Sequence, residues 1–309
     1  MSLHVLKPGL QTTVQGEPRR GYRHLGIPAA GPADPLSLAL ANRLLGNPLL
    51  ANGLEVTLSG ATFGADVRTV IAVTGADVDV AVNGEARGMY EAIEVRAGDE
   101  LRIGGARSGA RTYVAVCGGI AGDVVLDSGS TYMPAGLGGH GGRALEFGDE
   151  LACTASDRAA DSRTPEAFRP GREIGAALRV CLVDEAAGGS LCEQQWHVSS
   201  RADRMGIQLD GDPINGIDTG RLPSVPVFPG CVQCPPDGAP FLLSVDAQTT
   251  GGYARLAQVA RADRHVIGQL RTGDSLRFLP RTPGEAIEEL RQKIDYWAEW
   301  LPGCEAIFY

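Results

Sequence analysis

The chain has 309 residues, with 42 Gly, 19 Pro and 43% hydrophobic residues, enough at roughly 100–200 residues per domain for about two domains. A formal net charge of −9, with no Lys/Arg-rich run, removes the electrostatic footprint of nucleic-acid binding. No stretch approaches the roughly 18 apolar residues of a membrane span, no signal-peptide core opens the chain, and seven scattered cysteines point to reduced thiols in a cytoplasm.

Leu3-His4-Val5-Leu6 reads as a short strand, and a polar, basic loop follows: Glu17-Pro18-Arg19-Arg20-Gly21-Tyr22-Arg23-His24-Leu25-Gly26. Three arginines, a tyrosine and a histidine between glycines suit either an anionic ligand or a solvated surface loop. The first convincing helix covers residues 35–46. Asp34 stands as its N-cap before Pro35, Leu36, Leu38, Leu40, Leu44 and Leu45 supply an apolar face, and Gly46-Asn47-Pro48 stops it.

From Leu54 to Leu151 the pattern is β. Val67 to Val73 is an apolar run, Val78 to Val82 alternates, and Asn83-Gly84 is the dipeptide of a two-residue hairpin turn. A Gly-Asp turn feeding a strand recurs at Gly98-Asp99, Gly148-Asp149 and Gly273-Asp274, as a meander or barrel of similar hairpins requires. Polar, aperiodic residues 155–175 read as a linker. A second β-rich unit runs from Leu178 to Leu279. From Pro283, apolar residues fall at Ile287, Leu290, Ile294, Trp297 and Leu301 among charges, the spacing of an amphipathic helix. Its stripe either docks on its own domain or forms a seam for another subunit. The organisation expected is therefore mainly β: a first unit at 1–160 with the Asp34-capped helix, a linker at 161–175, a second unit at 176–281 and a C-terminal helix at 282–309.

The stretch with the most chemistry is Asp246-Ala247-Gln248-Thr249-Thr250-Gly251-Gly252-Tyr253, after the apolar run Phe241–Val245. It offers an acid, an amide, two hydroxyls, two glycines and a phenol at a strand end. That is the composition of a ligand-facing turn or of a hydrogen-bonded structural one. Other motifs fare worse. Gly136-Leu137-Gly138-Gly139-His140-Gly141 satisfies G-x-G-x-x-G, but strand and turn follow it where a dinucleotide site needs a helix, and no Walker lysine is present. Asp127-Ser128-Gly129 and Asp218-Thr219-Gly220 mimic an aspartic-protease pair, yet lie too close together for two lobes. Cys231-Val232-Gln233-Cys234 lies in an expected strand, where positions three apart face opposite sides, so two buried small hydrophobes fit better than a metal or redox pair.

Taken in order, several stretches resemble the biotin-dependent carboxyltransferase / allophanate hydrolase subunit 2 family. They are Gly9–Gln15, Arg20–Gly26, Gly31-Pro32-Ala33-Asp34, Ala41–Asn47, Ser130-Thr131-Tyr132 with the Gly136–Gly142 segment, Ser200–Gly206, Val227–Gly230 with Pro235–Gly238, and Gln248–Tyr253. The family includes the 5-oxoprolinase C subunit, the antikinase KipA and part of the carboxyltransferase region of urea carboxylase. The resemblance implies two cyclophilin-like β-barrel units and an obligate KipI-like subunit 1. It further implies either a lactam-utilisation subunit, for ATP-dependent cleavage of 5-oxoproline to glutamate, or a biotin carboxylase and carrier, for transfer of a carboxyl group from carboxybiotin to urea or a relative. An antikinase-like regulator is the third reading. ATP or carboxybiotin would come from partners, and no metal is expected.

The residues carried over are Arg204, Gln248 and Tyr253 as catalytic, and Tyr22, His24, Asp34, Thr249, Thr250, Gly251 and Gly252 as substrate-binding. Their chemistry is apt: a planar guanidinium pairs two oxygens at once, amides and glycine N–H groups line an oxyanion, and a phenol donates a proton or forms a wall. Three positions depart from the pattern of relatives: Gly16 stands where Asp is usual, Gly129 where many have Arg, and Ala247 where Arg is usual.

Overall fold

The protein is seen in a computed structural model that describes residues 2–153, 162–171, 176–216 and 222–308. Of the linker expected at 161–175, residues 161 and 172–175 lie outside the described residues, as does Asp218. The described residues fall into two compact units, one drawn from 1–19, 30–172 and 299–307, the other from 20–29, 173–298 and 308–309.

The first unit carries strands Ser2–Lys7 (β1), Gln11–Gln15 (β2), Gly53–Thr57 (β3), Thr62–Ala65 (β4), Thr69–Asp77 (β5), Val80–Val82 (β6), Glu85–Arg87 (β7), Ala92–Val95 (β8), Glu100–Ile103 (β9), Ser108–Val116 (β10) and Glu150–Ala152 (β11). They form a six-stranded sheet, β11-β1-β4-β9-β6-β7, and a five-stranded sheet, β2-β3-β10-β5-β8. Alternate residues of both sheets, among them Val5, Phe63, Leu101, Leu54, Val73 and Val114, enter one core.

Local chemistry sets the turns. Asn83 and Gly84 both take positive φ, 53° and 81°, and join β6 to β7 as a primed hairpin turn demands. At the Gly-Asp turns, Gly98, Gly148 and Gly273 have φ of 88°, 87° and 91°. The Asp99, Asp149 and Asp274 carboxylates accept the N–H of Arg96, Glu146 and Arg271. A helix, Pro35–Leu45 (α1), packs on β5 and β10. Asp34 caps it by accepting from Ser37 N–H at 3.0 Å, and Gly46 closes it in the left-handed conformation at φ 68°.

Beneath α1 lies a buried polar network. Tyr113 donates to Glu55 Oε2 at 2.8 Å and accepts from the Asp34 N–H at 2.7 Å, while the Ala33 N–H also reaches Glu55 Oε2. Arg111 Nε faces Glu55 Oε1 at 3.4 Å. Pairing of β10 with β3 puts Tyr113 opposite Glu55 and so assembles these groups from residues 58 apart.

The second unit carries Ala176–Leu182 (β12), Trp196–Ala202 (β13), Gly206–Asp210 (β14), Val225–Pro226 (β15), Cys231–Cys234 (β16), Phe241–Leu243 (β17), Thr250–Gly251 (β18), Ala254–Val259 (β19) and Ser275–Pro280 (β20). Seven of these close a barrel in the order β12-β19-β16-β17-β14-β13-β20, while β15 and β18 pair apart from it. Trp196, Leu242, Leu256, Leu276 and Phe278 fill its core. Helices Glu185–Glu193 (α2), Arg264–Ile267 (α3) and Pro283–Ala298 (α4) complete the unit.

The amphipathic helix α4 starts in a capping box: Glu285 accepts from Thr282 N–H at 2.8 Å, and Thr282 Oγ1 accepts from Glu285 N–H at 3.3 Å. It docks on its own unit mainly through polar contacts, Glu289 with Arg281 and Arg179, and Lys293 Nζ with Ala262 O at 2.7 Å. The apolar stripe is only partly used. Trp297 is buried, whereas Ile287 is 52% exposed. No described helix is long and apolar enough to cross a membrane.

Candidate functional site

The turn Asp246–Tyr253 connects β17 to β19 and is anchored at its start by an ion pair. Arg204, from the loop between β13 and β14, donates from Nε to Asp246 Oδ2 at 2.8 Å and from Nη2 to Asp246 Oδ1 at 3.0 Å. The Asp246 N–H returns a bond to Arg204 O at 2.8 Å. Arg204 and Asp246 are 4% and 2% exposed. The two-oxygen geometry that suits Arg204 for a ligand is thus occupied by a carboxylate of the protein. These two bonds tie the start of the turn to the loop that carries Arg204.

Ala247 follows, fully buried against Val227, Cys231 and Leu243. At this departure the chain has an apolar packing position, with no room for a long cation. The other two departures meet each other: a Cβ on Gly16 would lie 2.1 Å from Asn52 Oδ1, and one on Gly129 2.5 Å from Asn52 Nδ2. One asparagine side chain fills the space beside both glycines.

Past Ala247 the turn becomes polar. Gln248 Nε2 donates to Gln233 Oε1 at 3.3 Å, and Gln233 is 1% exposed with its Nε2 buried and lacking a hydrogen-bond partner. A Cβ on Gly251 would come within 2.5 Å of that Nε2, so the absence of a side chain there is what lets the glutamine amide lie against the turn. Thr249 O accepts from the Val227 N–H at 3.0 Å, and Thr250 and Gly251 pair with Pro226 and Val225. A Cβ on Gly252 would sit 3.3 Å from Leu222 O. Tyr253 is 51% exposed and lines a cleft of about 730 Å³ with Asp184, Ser190, Asn215, Val225 and Arg255.

The loop at residues 20–29 gathers with this second unit. Tyr22 is half-buried, and His24 is exposed with Nδ1 3.0 Å from Gly21 O. Between them Arg23 bonds through Nη2 to Val227 O and covers the Phe228 ring, 5.0 Å from its centroid. Asp34 belongs to the first unit, where its Oδ1 and Oδ2 accept from the N–H and hydroxyl of Ser37.

Gln233 is the residue that sequence reasoning passed over. It stood inside the C-x-x-C motif, whose cysteines drew the attention. Cys231 and Cys234 are buried in β16, Cys231 beside Val227 and Leu243 and Cys234 in the barrel core. Burial pushes both thiols up to about 11, away from the reactive range. In the glycine-rich loop, Gly136, Gly138, Gly139, Gly141 and Gly142 all take positive φ and lead to bridges and turns, so no helix N-terminus receives a phosphate there. No cluster of metal-ligating side chains occurs among the described residues.

Comparison with known proteins agrees with this architecture. The family model described as carboxyltransferase domain, subdomain A and B, matches residues 25–280. The 5-oxoprolinase C subunit of Escherichia coli (strain K12) is 33% identical over 302 residues, covering 96% of this chain and 97% of that protein. Its counterpart in Haemophilus influenzae is also 33% identical, covering 97% of both. Among solved structures, the K. lactis urea amidolyase superposes with a TM-score of 0.86 at 28% identity over 96% of this chain, which spans 20% of that larger enzyme.

Proposed function

Because the chain belongs to the family of carboxyltransferase domains, subdomain A and B, we propose that it is the C subunit of an ATP-dependent 5-oxoprolinase. It works in the cytoplasm with a KipI-like subunit 1 and a lactam-utilisation subunit, as a hydrolase that opens 5-oxoproline to glutamate. The observation that carries this reading is the end-to-end match with two proteins named for that role.

The geometry around Tyr253 supports it. Opening a lactam builds negative charge on the former amide oxygen, and fixed N–H donors lower the barrier by stabilising that charge. Gln248, held by buried Gln233, and the N–H group of Gly252 are such donors, on a turn braced by the pairing of Gly251 with Val225. Thr249 and Thr250 add hydroxyls, and Tyr253 presents its phenol at the cleft. Arg204 acts through Asp246 as a positioning residue. Tyr22 and His24 contribute from the loop that Arg23 fastens to Val227. ATP, held by the partner subunits, supplies the driving force of ring opening.

A second reading, carboxyl transfer from partner-borne carboxybiotin to a urea-type acceptor, is favoured by the superposition on urea amidolyase. The same amides would then face a ureido group. Purifying this chain with its two partners and assaying 5-oxoproline with ATP separates the readings. Glutamate and ADP formed only by the full assembly, and reduced about a hundredfold by Tyr253→Phe, are the expected result. An intact assembly that forms no glutamate would overturn the 5-oxoprolinase reading in favour of carboxyl transfer.

A further inference from the structure

Elsewhere in the second unit, arginines withdrawn from solvent face carboxylates: Arg204 meets Asp246, and Arg179 meets Asp263 and Glu289. Arg23 and Arg264 differ. Arg23 uses Nη2 on Val227 O and lies over Phe228, yet its Nη1 is buried without an acceptor. Arg264 opens α3, and its Nε is likewise buried without an acceptor. Its neighbour Asp263 is already committed to Arg179, through both oxygens. Burial lowers both guanidiniums below the usual arginine range. For Arg264, brought to about 10, the like charges of Arg261 and Arg23 lower it further.

The barrel's connectivity brings their two anchoring turns side by side. Residues 228–230 lead into β16 and residues 260–264 lead out of β19, and these two strands are paired. The Val259 N–H donates to Gly230 O at 2.8 Å, which holds the two turns side by side. Arg23 sits on the first turn through Phe228, and Arg261 and Arg264 stand on the second. Two neighbouring cations with buried, unused N–H groups cost folding free energy, and an oxyanion would offset that cost on both counts.

We propose that Arg23 and Arg264 form an oxyanion-binding site at this end of the barrel, taking the carboxylate or phosphate group of a small ligand. Val227 links the site to the turn already described, since its C=O accepts from Arg23 while its N–H donates to Thr249 O. In a 5-oxoprolinase the oxyanion is the substrate's carboxylate. That choice of ligand rests on the functional reading above, whereas the arginine site itself does not.

The test is calorimetric binding to the full chain of 5-oxoproline, of 2-pyrrolidinone (the same lactam without the carboxylate) and of inorganic phosphate. One of the two anions is expected to bind at least about tenfold more tightly than 2-pyrrolidinone. Arg23→Gln and Arg264→Gln should each weaken it about tenfold with the unfolding midpoint retained. Preference for 5-oxoproline supports a carboxylate ligand, and preference for phosphate supports the site with a phosphoryl ligand. Anions that bind no better than 2-pyrrolidinone, or equally well to the folded variants, overturn the site. Turnover of 5-oxoproline by the assembly separates the two ideas. If glutamate forms while the variants bind anions like the parent, the site falls and the functional reading stands. If no glutamate forms but the variants lose anion binding, the reading falls and the site stands.

Discussion

Two groups of buried polar side chains in this molecule look alike in composition and differ in how they are satisfied. In the first unit, Arg111, Glu55, Tyr113 and Asp34 answer one another: the carboxylate of Glu55 takes the Tyr113 hydroxyl and the Ala33 N–H and faces Arg111. Burial and the nearby carboxylates push the Tyr113 phenol well above its ordinary range, so it stays a neutral donor. In the second unit, Arg23, Arg264 and Gln233 each keep a buried nitrogen with no acceptor. Arg111 Nε also lacks a hydrogen bond, but it lies 3.4 Å from the Glu55 carboxylate, which offsets its charge. Buried donors left open cost folding free energy, and at Arg23 and Arg264 the proposed oxyanion would offset that cost.

The comparison breaks most visibly if the closed network proves dispensable. Glu55→Ala removes the buried carboxylate shared by Tyr113, the Ala33 N–H and Arg111, and should cost about 3–5 kcal/mol of stability, read as a fall in the urea midpoint. A loss within 0.5 kcal/mol or so, the usual range for surface changes, would mean that the network holds little together.

A second test uses pH. His265 packs edge-on to Phe308 with its Nε2 3.3 Å from Lys293 Nζ, and burial, then Lys293, lowers it to about 3. The unfolded imidazole titrates near 6.5, so its contribution is complete above that pH and is lost as pH falls from about 6.5 toward 3. The expected slope is at most about 1.4 kcal/mol per pH unit, and His265→Gln should flatten it in unfolding curves between pH 7 and 5.

Asp34→Ala removes a helix cap and should cost about 1 kcal/mol. If turnover instead falls a hundredfold with stability unchanged, Asp34 touches substrate. The smallest effect is the sharpest contrast with Glu55: Arg264→Gln removes a charge that nothing offsets, and should leave stability within about 0.5 kcal/mol of the parent or slightly above it. A loss as large as that of Glu55→Ala would show Arg264 to be structural.

Legibility followed the range of the interactions. The α1 cap at Asp34, the Asn83-Gly84 turn and the three Gly-Asp turns depend on residues within a few positions, so their geometry is written locally. The reading of the C-x-x-C pair as two buried small hydrophobes followed from its place in an expected strand. The Arg204–Asp246 pair joins residues 42 apart, and no spacing rule distinguishes an arginine reserved for a ligand from one clamped by a carboxylate. Gln233 became visible only when β16 came against the turn, bringing its amide beneath Gly251. The helix beginning at Pro283 was evident from its period. Its exposed Ile287 was not, because an apolar stripe does not say how much of itself a neighbour will cover.

The interleaving of the two units also bears on how the protein is made. The first unit includes residues 299–307, where Trp300 stacks on Phe168 at 6.4 Å and its carbonyl accepts from Arg43 Nε at 3.0 Å. The second includes residues 20–29, which leave the ribosome before almost everything they pack against. A growing chain therefore cannot finish the first unit until residues 299–307 emerge. The loop around Arg23 waits through most of translation for Val227 and Phe228 to arrive. Domain-by-domain folding during synthesis needs contiguous segments. Neither unit offers one, so the earliest-made loop and the segment around Trp300 are the parts on which completion of both units hangs.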